Sequence, residues 1–598
     1  MFLADRLLRF GLQALGITGA LALAGACSSR EESFRPDPPS TLDSDASVPD
    51  PPKKCGLRCS RDLKQVLEGC DGEEQTVVET CSADQGCGGE HCVDACTAAA
   101  LNKGSTGCEF WTLPPVDAVE MPGSCFAAMV ANTWDRPVSV SAGFGGEPLD
   151  ISKSIYTVSR NGEEPEYTLL EGALPSGEVA IVFFSHDEGD MGKERTYCPP
   201  QVTPAMLVDP AIHGTAKSKA FQIKTDAPVS AYSIYPYGGA DTHVPTATLL
   251  LPASSWEKNY LAVSPFYFGQ PLKRRILQIV ANDDDTEVSM RPTVEVPAGA
   301  GVAGATAGVT QTWKLGKGEV LQFVQPGMTG SPIETNKPVA VFGGSQCTFI
   351  PSTSNWCDLL QQQIPGVAQW GTEYAVVPFP SRIDSLADAR ERVPYTIVAA
   401  AEGTTFTYEP SRPRDAPEKL NAGESADFIT DEVFVVRSQD SKHPFHVNVY
   451  MTGSAYGGGT GSTTTGDPDY VNVPAADQYL DRYVFFTDFT FPDTRLTVVR
   501  RRTAAGFLPV ELECAGGPIE GFRPLGTSGE YEYAFVTLTE AFLPQKFAKG
   551  ECSYGRQEAR SDGPFAVTVW GVGIDASYGY VAGTGLRPVN DAPPPIIK

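Results

Sequence analysis

The feature that most constrains the fold of this chain is a proline-led strand pattern that recurs four times. It reads APVSAYSIYPYGG, KPVAVFGG, HPFHVNVYMTG and GPFAVTVWG. The prolines are Pro228, Pro338, Pro444 and Pro564, which lie 110, 106 and 120 residues apart. A repeat of this length is the size of a β domain, whereas solenoid coils and propeller blades repeat every ~20 to 50 residues. Proline suits the start of an edge-like strand, where its missing N–H costs least.

Two further segment types recur in the same order between these prolines. One is a strand followed by a turn, and the other is a Leu-x-x-Gly-Glu turn that opens an apolar run. The strands lie near Val130, Val280, Val398 and Val498, and the turns begin at Leu174, Leu315, Leu420 and Leu525. Short runs that alternate apolar and polar residues predict half-buried strands. We therefore predict an all-β chain of tandem β-sandwich-like modules, with a β-propeller-like assembly as the alternative.

The predicted organisation has seven segments. They are a signal peptide over 1–26, a disordered lipoprotein tether over 27–54, a small disulfide-rich module over 55–107, and four β modules over 108–240, 241–345, 346–453 and 454–598, the last with the C-terminal tail.

The N-terminal segment indicates export. Arg6 and Arg9 precede an apolar stretch that ends in small residues, as in a signal peptide, and its glycines leave too short an apolar run for a membrane span. The ending LAGAC resembles the lipobox of bacterial lipoproteins, in which the cysteine, here Cys27, is acylated. Ala24 stands where a lipobox usually has leucine, so an ordinary signal peptidase site is the alternative.

The segment after Cys27 is rich in Ser, Asp and Pro and cannot bury enough apolar surface to fold. We expect it to act as a tether that holds the next domain away from a membrane. Ser28, where an aspartate would resemble an inner-membrane retention signal, points to the outer membrane. We expect a lipid-anchored outer-membrane protein that faces outward.

The fifteen cysteines also indicate an oxidising compartment. Setting Cys27 aside leaves fourteen, an even number that can all pair. Seven of them crowd between Cys55 and Cys96 without a CxxC pair, which favours disulfides over zinc. Sequence proximity predicts two bonds farther along the chain and leaves a third within the first module. These three are Cys347–Cys357, Cys514–Cys552 and Cys125–Cys198.

The repeated strand and the segment that follows it, LLLPASSWEKNYLAVSPF, resemble the N-terminal domain of the IgGFc-binding protein family. In that family a proline-led strand, a Leu-Pro turn, a Tyr-centred strand and a turn of the Asp-Gly-Thr kind follow in order. The matching positions here are Pro228 and Pro338, Leu251-Pro252, Tyr260 and Tyr374, and Asp285-Thr286 or Gly403-Thr404.

The resemblance covers roughly residues 108–586. Bacterial members of the family look like predicted lipoproteins. The vertebrate relatives imply binding of immunoglobulin Fc in mucus. No set of Fc-contact residues is carried over to this chain.

Composition and motifs narrow the classes of function. Lys and Arg total 46 against 73 Asp and Glu, a net charge of −27 that disfavours nucleic acid as a partner. We find no HExxH or GxSxG motif, and the acidic stretches HDEGD at His186 and NDDDTE at Asn282 lack the spacing of an EF-hand. The Arg500-Arg501-Arg502 cluster favours a solvated hairpin or internal ion pairs. We predict no catalytic residues, no metal site and no cofactor.

Aromatic residues near Gly, Pro and Ser in predicted loops are the candidate binding residues, because such rings stack on sugars or anchor protein partners. The aromatic candidates are Tyr235, Tyr237 and Trp356, and the nearby polar residues Asp241 and His243 are added to them. We therefore predict a non-enzymatic adhesion or binding protein for an extracellular glycan or protein. The alternatives are a secreted polymer hydrolase that uses Asp241 and His243 or the HDEGD loop, and a structural envelope protein.

Overall fold

A computed structural model describes most of the chain after the tether. The described residues are 55–70, 75–116, 121–160, 164–189, 196–265, 275–325, 327–351, 357–383, 390–454 and 465–597, without the side chains of 240 and 241. They form forty strands, with the helix α1 (Ala95–Asn102) the one α-helix among them. This confirms the all-β prediction. Within these residues no helix has the length and apolar character that crossing a bilayer requires.

The cysteine-dense module consists of two small sheets and α1. Asp94 caps the helix by accepting hydrogen bonds from the N–H groups of Cys96 and Thr97. Four disulfides crosslink the module: Cys55–Cys70, Cys59–Cys87, Cys81–Cys92 and Cys96–Cys108. The last bond reaches into β6, which begins the first large sheet. The strands are β1 (Cys55–Cys59), β2 (Gln65–Cys70), β3 (Thr76–Thr80), β4 (Gln85–Gly88) and β5 (His91–Asp94).

The first unit spans residues 107–249 and builds a nine-stranded sheet whose main order is β11-β10-β12-β7-β14-β8-β9. Its strands are β6 (Gly107–Thr112), β7 (Phe126–Asn132), β8 (Val140–Phe144), β9 (Glu147–Leu149), β10 (Ile155–Arg160), β11 (Pro165–Leu169), β12 (Val179–Ser185), β14 (Phe221–Tyr235) and β15 (Thr246–Leu249). β13 (Ala216–Lys219) instead joins the sheet of the second unit, where it pairs with β20.

The second unit spans residues 257–364, and β13 lies at one edge of its eight-stranded sheet. Its strands are β16 (Glu257–Leu261), β17 (Arg275–Ala281), β18 (Thr286–Met290), β19 (Gln311–Leu315), β20 (Glu319–Gln325), β21 (Pro332–Thr348) and β22 (Asp358–Ile364).

The third unit spans residues 373–472 and has two four-stranded sheets in sandwich-like form, ordered β23-β28-β25-β26 and β27-β24-β29-β30. Its strands are β23 (Glu373–Val376), β24 (Val393–Ala399), β25 (Thr404–Glu409), β26 (Lys419–Leu420), β27 (Ser425–Thr430), β28 (Phe434–Ser438), β29 (Phe445–Met451) and β30 (Asp469–Asn472).

The fourth unit spans residues 480–581 and has a ten-stranded sheet. Its strands are β31 (Leu480–Thr487), β32 (Asp493–Arg501), β33 (Val510–Leu512), β34 (Gly517–Pro518), β35 (Arg523–Leu525), β36 (Tyr531–Glu540), β37 (Leu543–Lys546), β38 (Glu551–Cys552), β39 (Gly555–Gly573) and β40 (Ala576–Val581).

The three repeated segments occupy equivalent positions in every unit. The strands near Val130, Val280, Val398 and Val498 are β7, β17, β24 and β32. Each of them pairs on one side with the strand that follows the Leu-x-x-Gly-Glu turn. On the other side it pairs with the strand that carries the repeated proline inside it or just before it, here called the proline-containing strand. These four strands, of which β29 begins just after Pro444 and the others contain their proline, are therefore not edge strands. Pro228, Pro338 and Pro564 lie where the pairing with the unit's first strand shifts register, a place where the ladder does not need the missing N–H.

Each proline-containing strand also pairs with the short strand that follows it. These four short strands, β15, β22, β30 and β40, are called the inner strands. β15 contacts β22, β22 contacts β30, β30 contacts β40, and β40 contacts β15, so the units close into a ring. The ring corresponds to the propeller-like alternative, although its repeat is longer than a usual blade. The units of the structure end at β15, β22 and β30, after the predicted boundaries at 240, 345 and 453.

All fourteen cysteines from Cys55 onward form disulfides. Cys125 is joined to Cys198, Cys347 to Cys357, and Cys514 to Cys552, which confirms the pairs predicted from sequence. Each bond restricts the unfolded chain more when it closes a longer loop.

We expect loss of Cys125–Cys198 to destabilise the fold more than loss of Cys347–Cys357. The cysteines of the first bond are 73 residues apart in sequence, and those of the second are 10 residues apart. From the chain entropy of loops of these lengths, the two bonds contribute about 4 and about 3 kcal/mol, respectively, to the free energy of unfolding. Paired Cys→Ser variants, compared by urea unfolding under non-reducing conditions, measure the two costs. The reverse order would show that loop length does not govern these bonds.

Candidate functional site

One side chain, that of Gln362, links the four inner strands at the axis of the ring. Gln362 on β22 donates from Nε2 to the carbonyl oxygens of Ala247 (2.8 Å), Tyr470 (2.9 Å) and Gly579 (3.3 Å), one on each of the other inner strands. The amide nitrogen carries two hydrogens, so the three carbonyl oxygens share two N–H groups, and Gln362 is buried. The axis is therefore a packed, hydrogen-bonded core.

A cavity of about 40 Å³ lies on the axis at the carboxyl ends of the inner strands, next to Leu249, Gln363, Asn472 and Val581. This volume suits water molecules rather than a sugar or peptide. His446 lines it, and burial lowers the pKa of its imidazole to about 4, although a hydrogen bond with Asn472 opposes the shift. The imidazole is therefore neutral at neutral pH.

The predicted aromatic binding residues that the structure describes are buried. Tyr235 donates its hydroxyl hydrogen bond to the carbonyl of Met121, and the hydroxyl of Tyr237 lies 2.8 Å from that of Tyr167. Both rings are at most 4% exposed. These two rings therefore belong to the core and do not face a ligand, because their polar ends are satisfied inside the fold.

Of the other three predicted residues, His243 is the one whose side chain the structure describes. His243 is exposed in a turn with a positive φ of 58°. Asp241 lies in the 3₁₀ helix Gly239–Thr242, but its side chain is not among those described. Trp356 falls outside the described residues.

The acidic stretch NDDDTE and the arginine cluster have structural roles. In NDDDTE, Thr286 donates a hydrogen bond to the carbonyl of Asp283, and Asp285 has a positive φ of 53°, as a turn requires. Arg500 pairs with Glu532, and Arg501 pairs with Glu373 and Asp477, so these arginines form internal ion pairs. In the part of the chain that the structure describes, no three His, Cys, Asp or Glu side chains are placed to share a metal ion.

A larger opening lies between the first and fourth units, where the ring closes. It has a volume of about 400 Å³ and is called the interunit groove. Its lining comes from β10, the start of β12, the end of β31 and the turn before β39. The residues are Val158, Ser159, Arg160, Gly177, Glu178, Val179, Ile181, Phe486, Phe489, Ser553, Tyr554, Gly555 and Arg556.

The lining of the groove combines aromatic rings with guanidinium groups. Phe489 and Tyr554 stack with ring centroids 5.6 Å apart, and the hydroxyl of Tyr554 donates to the carbonyl of Phe491 at 2.9 Å. Arg160 donates from Nη1 to the carbonyl of Phe489 at 2.5 Å, and its guanidinium carbon lies 5.5 Å from the Tyr554 ring centre. Arg556 is held by ion pairs with Glu513 and Glu558.

A buried carboxyl helps to shape this side of the fourth unit. Asp488, just after β31, accepts hydrogen bonds at one oxygen from the N–H and hydroxyl of Thr490. Burial raises its pKa to about 6, against the lowering effect of these two bonds. The turn between β31 and β32 is thereby fixed, and with it Phe489, whose ring and carbonyl meet Tyr554 and Arg160.

The groove offers cationic, hydroxyl and aromatic groups on a rigid disulfide-bonded scaffold. Arg and Tyr are the side chains that most often carry binding energy in protein interfaces. Sequence reasoning missed it because its residues come from segments more than 300 positions apart, and none of them stands in a recognisable motif.

The described residues form an all-β ring of repeated units that is crosslinked by disulfides and carries the interunit groove. The chain belongs to the IgGFc-binding protein family, because the family model described as IgGFc binding protein matches residues 246–571, more than half of the chain. The matched span contains the second and third units and nearly all of the fourth. No curated protein and no solved structure matches the chain.

Proposed function

We propose that this protein is a lipid-anchored surface protein that binds an extracellular protein or glycan at the interunit groove without chemical turnover. Membership of a binding family supports the class of function. The observation that carries the site is the groove itself, a 400 Å³ opening lined by Arg160, Tyr554 and Phe489, whereas the axial cavity holds only about 40 Å³. Small-ligand sites usually occupy about 300 to 1,000 Å³.

Protein and glycan arrays probed with the mature chain test this proposal. We expect selective binding that weakens about tenfold or more in Arg160→Gln, because hydrogen bonds to charged groups contribute about 1.5 to 3 kcal/mol. Arg414→Gln is the matched control, since Arg414 is 89% exposed and lies in the third unit, outside the residues that line the groove. Turnover of a polymeric substrate would favour the hydrolase alternative, and no selective ligand would favour a structural envelope protein.

The anchor is tested separately. Cys27, which lies outside the described residues, is proposed to carry lipid and to hold the protein at the outer membrane. The support is the LAGAC sequence and the fact that the fourteen cysteines from Cys55 onward pair with one another. We expect labelled palmitate in the wild type and none in Cys27→Ala, which should leave the membrane fraction. Equal membrane association of both would contradict the anchor.

A further inference from the structure

The contact between the first and fourth units includes the backbone of one turn. This turn, residues 488–490, follows β31 and is called the closing turn. Arg160 of the first unit donates a hydrogen bond to the carbonyl of Phe489 at 2.5 Å. Gly239, also of the first unit, lies so close to Thr490 that a Cβ added to it would be 2.2 Å from the Thr490 carbonyl oxygen. The closing turn therefore packs directly against the first unit at the point where the ring closes.

Asp488 is a carboxyl buried in the closing turn, where the residue is 1% exposed. Its Oδ1 accepts hydrogen bonds from the Thr490 N–H at 2.8 Å and from the Thr490 hydroxyl at 2.6 Å. Its Oδ2 is also buried, and no group among the described residues donates a hydrogen bond to it. An ionised carboxylate loses its hydration on burial and needs donors in exchange, whereas a neutral carboxylic acid loses much less. The site therefore favours the neutral form.

The ionisable groups that face Asp488 are buried tyrosine hydroxyls from both units. They are Tyr167 on β11, Tyr237 after β14, Tyr554 before β39, and Tyr578 and Tyr580 on β40. Burial raises the pKa of each, so these hydroxyls are neutral at neutral pH. The charge of Arg160 on β10 lowers the pKa of Tyr167 and Tyr554, and that of Asp493 on β32 raises the pKa of Tyr554. Burial raises the pKa of Asp488 to about 6, against its two hydrogen bonds.

We propose that Asp488 is a pH-sensitive switch of ring closure. Its neutral carboxyl strengthens the contact between the first and fourth units in mildly acidic medium, and its carboxylate weakens that contact at neutral pH. The closed ring holds the proton more tightly than the opened chain, in which the pKa of an aspartate is about 4. The stabilisation is therefore complete below about pH 4 and is lost as the pH rises through about 6.

The switch also acts on the interunit groove. Phe489 lies in the closing turn and lines the groove, so one wall of the groove loosens when the contact opens. Ring closure is controlled in this way whether or not the groove binds a ligand.

Hydrogen exchange of the mature chain tests the switch. Peptides that cover the closing turn and the first-unit segment around Gly239 report opening of the contact, after correction for the intrinsic pH dependence of amide exchange. We expect the opened population to be about tenfold larger at about pH 7.5 than at about pH 5, because the pKa is about 6 in the closed ring and about 4 in the opened chain.

Two variants identify the carboxyl that is responsible. Asp488→Asn keeps the shape of the neutral acid but cannot ionise, so we expect its opened population to change less than about twofold over the same range. Asp481→Asn is the matched control at the other end of β31. Burial raises the pKa of Asp481 as well, but its carboxyl is 44% exposed and pairs with Arg61 at 2.9 Å. We expect this variant to retain the tenfold change.

The outcomes separate the switch from its alternatives. Equal opening of the wild type at both pH values would overturn the inference, and so would a tenfold change that persists in Asp488→Asn. Loss of the change in Asp481→Asn alone would assign it to that carboxyl and overturn the inference too. If Asp488→Asn does not fold, the wild-type profile decides, because the opened population must level off above about pH 7. A profile that keeps rising would contradict the role of Asp488.

Discussion

Replacing Arg382 by methionine is expected to lower the free energy of unfolding by about 3 to 5 kcal/mol, because the change leaves a buried carboxylate without its cation. The side chains of Arg382 and Glu391 are each 1% exposed, and Nη2 lies 2.7 Å from the Glu391 carboxylate. Arg382 also donates from Nη1 to the carbonyls of Thr452 and Thr465. One guanidinium thus joins three segments of the third unit.

A double variant distinguishes the ion pair from simple loss of packing. Arg382→Met combined with Glu391→Leu removes both charges, so we expect it to recover about 2 kcal/mol relative to the single variant. Lys314→Met breaks an exposed pair with Glu287 and should change stability by less than about 1 kcal/mol. Urea unfolding midpoints measure all three. A double variant no more stable than Arg382→Met would show that the uncompensated charge is not the cause.

Gln362→Leu is expected to destabilise the ring by about 3 kcal/mol. The substitution keeps the volume close to that of glutamine but removes the donors that satisfy the carbonyls of Ala247 and Tyr470, each costing about 1 to 3 kcal/mol when it is left buried without a partner. The affected carbonyls lie on β15 and β30, so the loss should loosen the contacts between units more than the sheets themselves.

Hydrogen exchange shows where the ring loosens. We expect faster exchange in β15, β22, β30 and β40 of Gln362→Leu, with the exchange of β17 and β32 little changed. Gln201→Leu, at an exposed position, is the control and should leave both the unfolding midpoint and the exchange pattern unchanged. Wild-type exchange in the inner strands of Gln362→Leu would contradict the role assigned to this side chain.

The sequence predicts the repeated strands because their signals are local. Each Leu-x-x-Gly-Glu turn does precede a strand that lies beside the unit's central strand, as at Leu315 before β20. The Tyr-centred strands also recur in the structure. The hydroxyls of Tyr260, Tyr374 and Tyr483 donate hydrogen bonds to backbone carbonyls of β21, β29 and β39, respectively. Each hydroxyl also accepts a hydrogen bond from the backbone N–H of the residue three positions earlier.

The closed ring and the groove were beyond such reasoning. Both depend on contacts between distant segments, such as β15 with β40, for which a single sequence carries no pattern. Tyr235 and Tyr237 show the same difficulty. Their position among glycine and proline resembles a loop, but β14 extends to Tyr235 and both rings are covered by other parts of the fold. Burial by distant elements decides whether an aromatic residue packs or binds.

Closure of the ring joins the two ends of the repeat array directly. Gly104 bridges Gly585, and the N–H of Leu586 donates to the carbonyl of Lys103. During synthesis, β15 is made more than 300 residues before β40. The first unit therefore cannot contact the fourth unit until the last strand has been made, and the array completes its folding only then. The same adjacency means that new termini placed in one of the connections between units, with the old ends linked, would leave every neighbour in the ring in place.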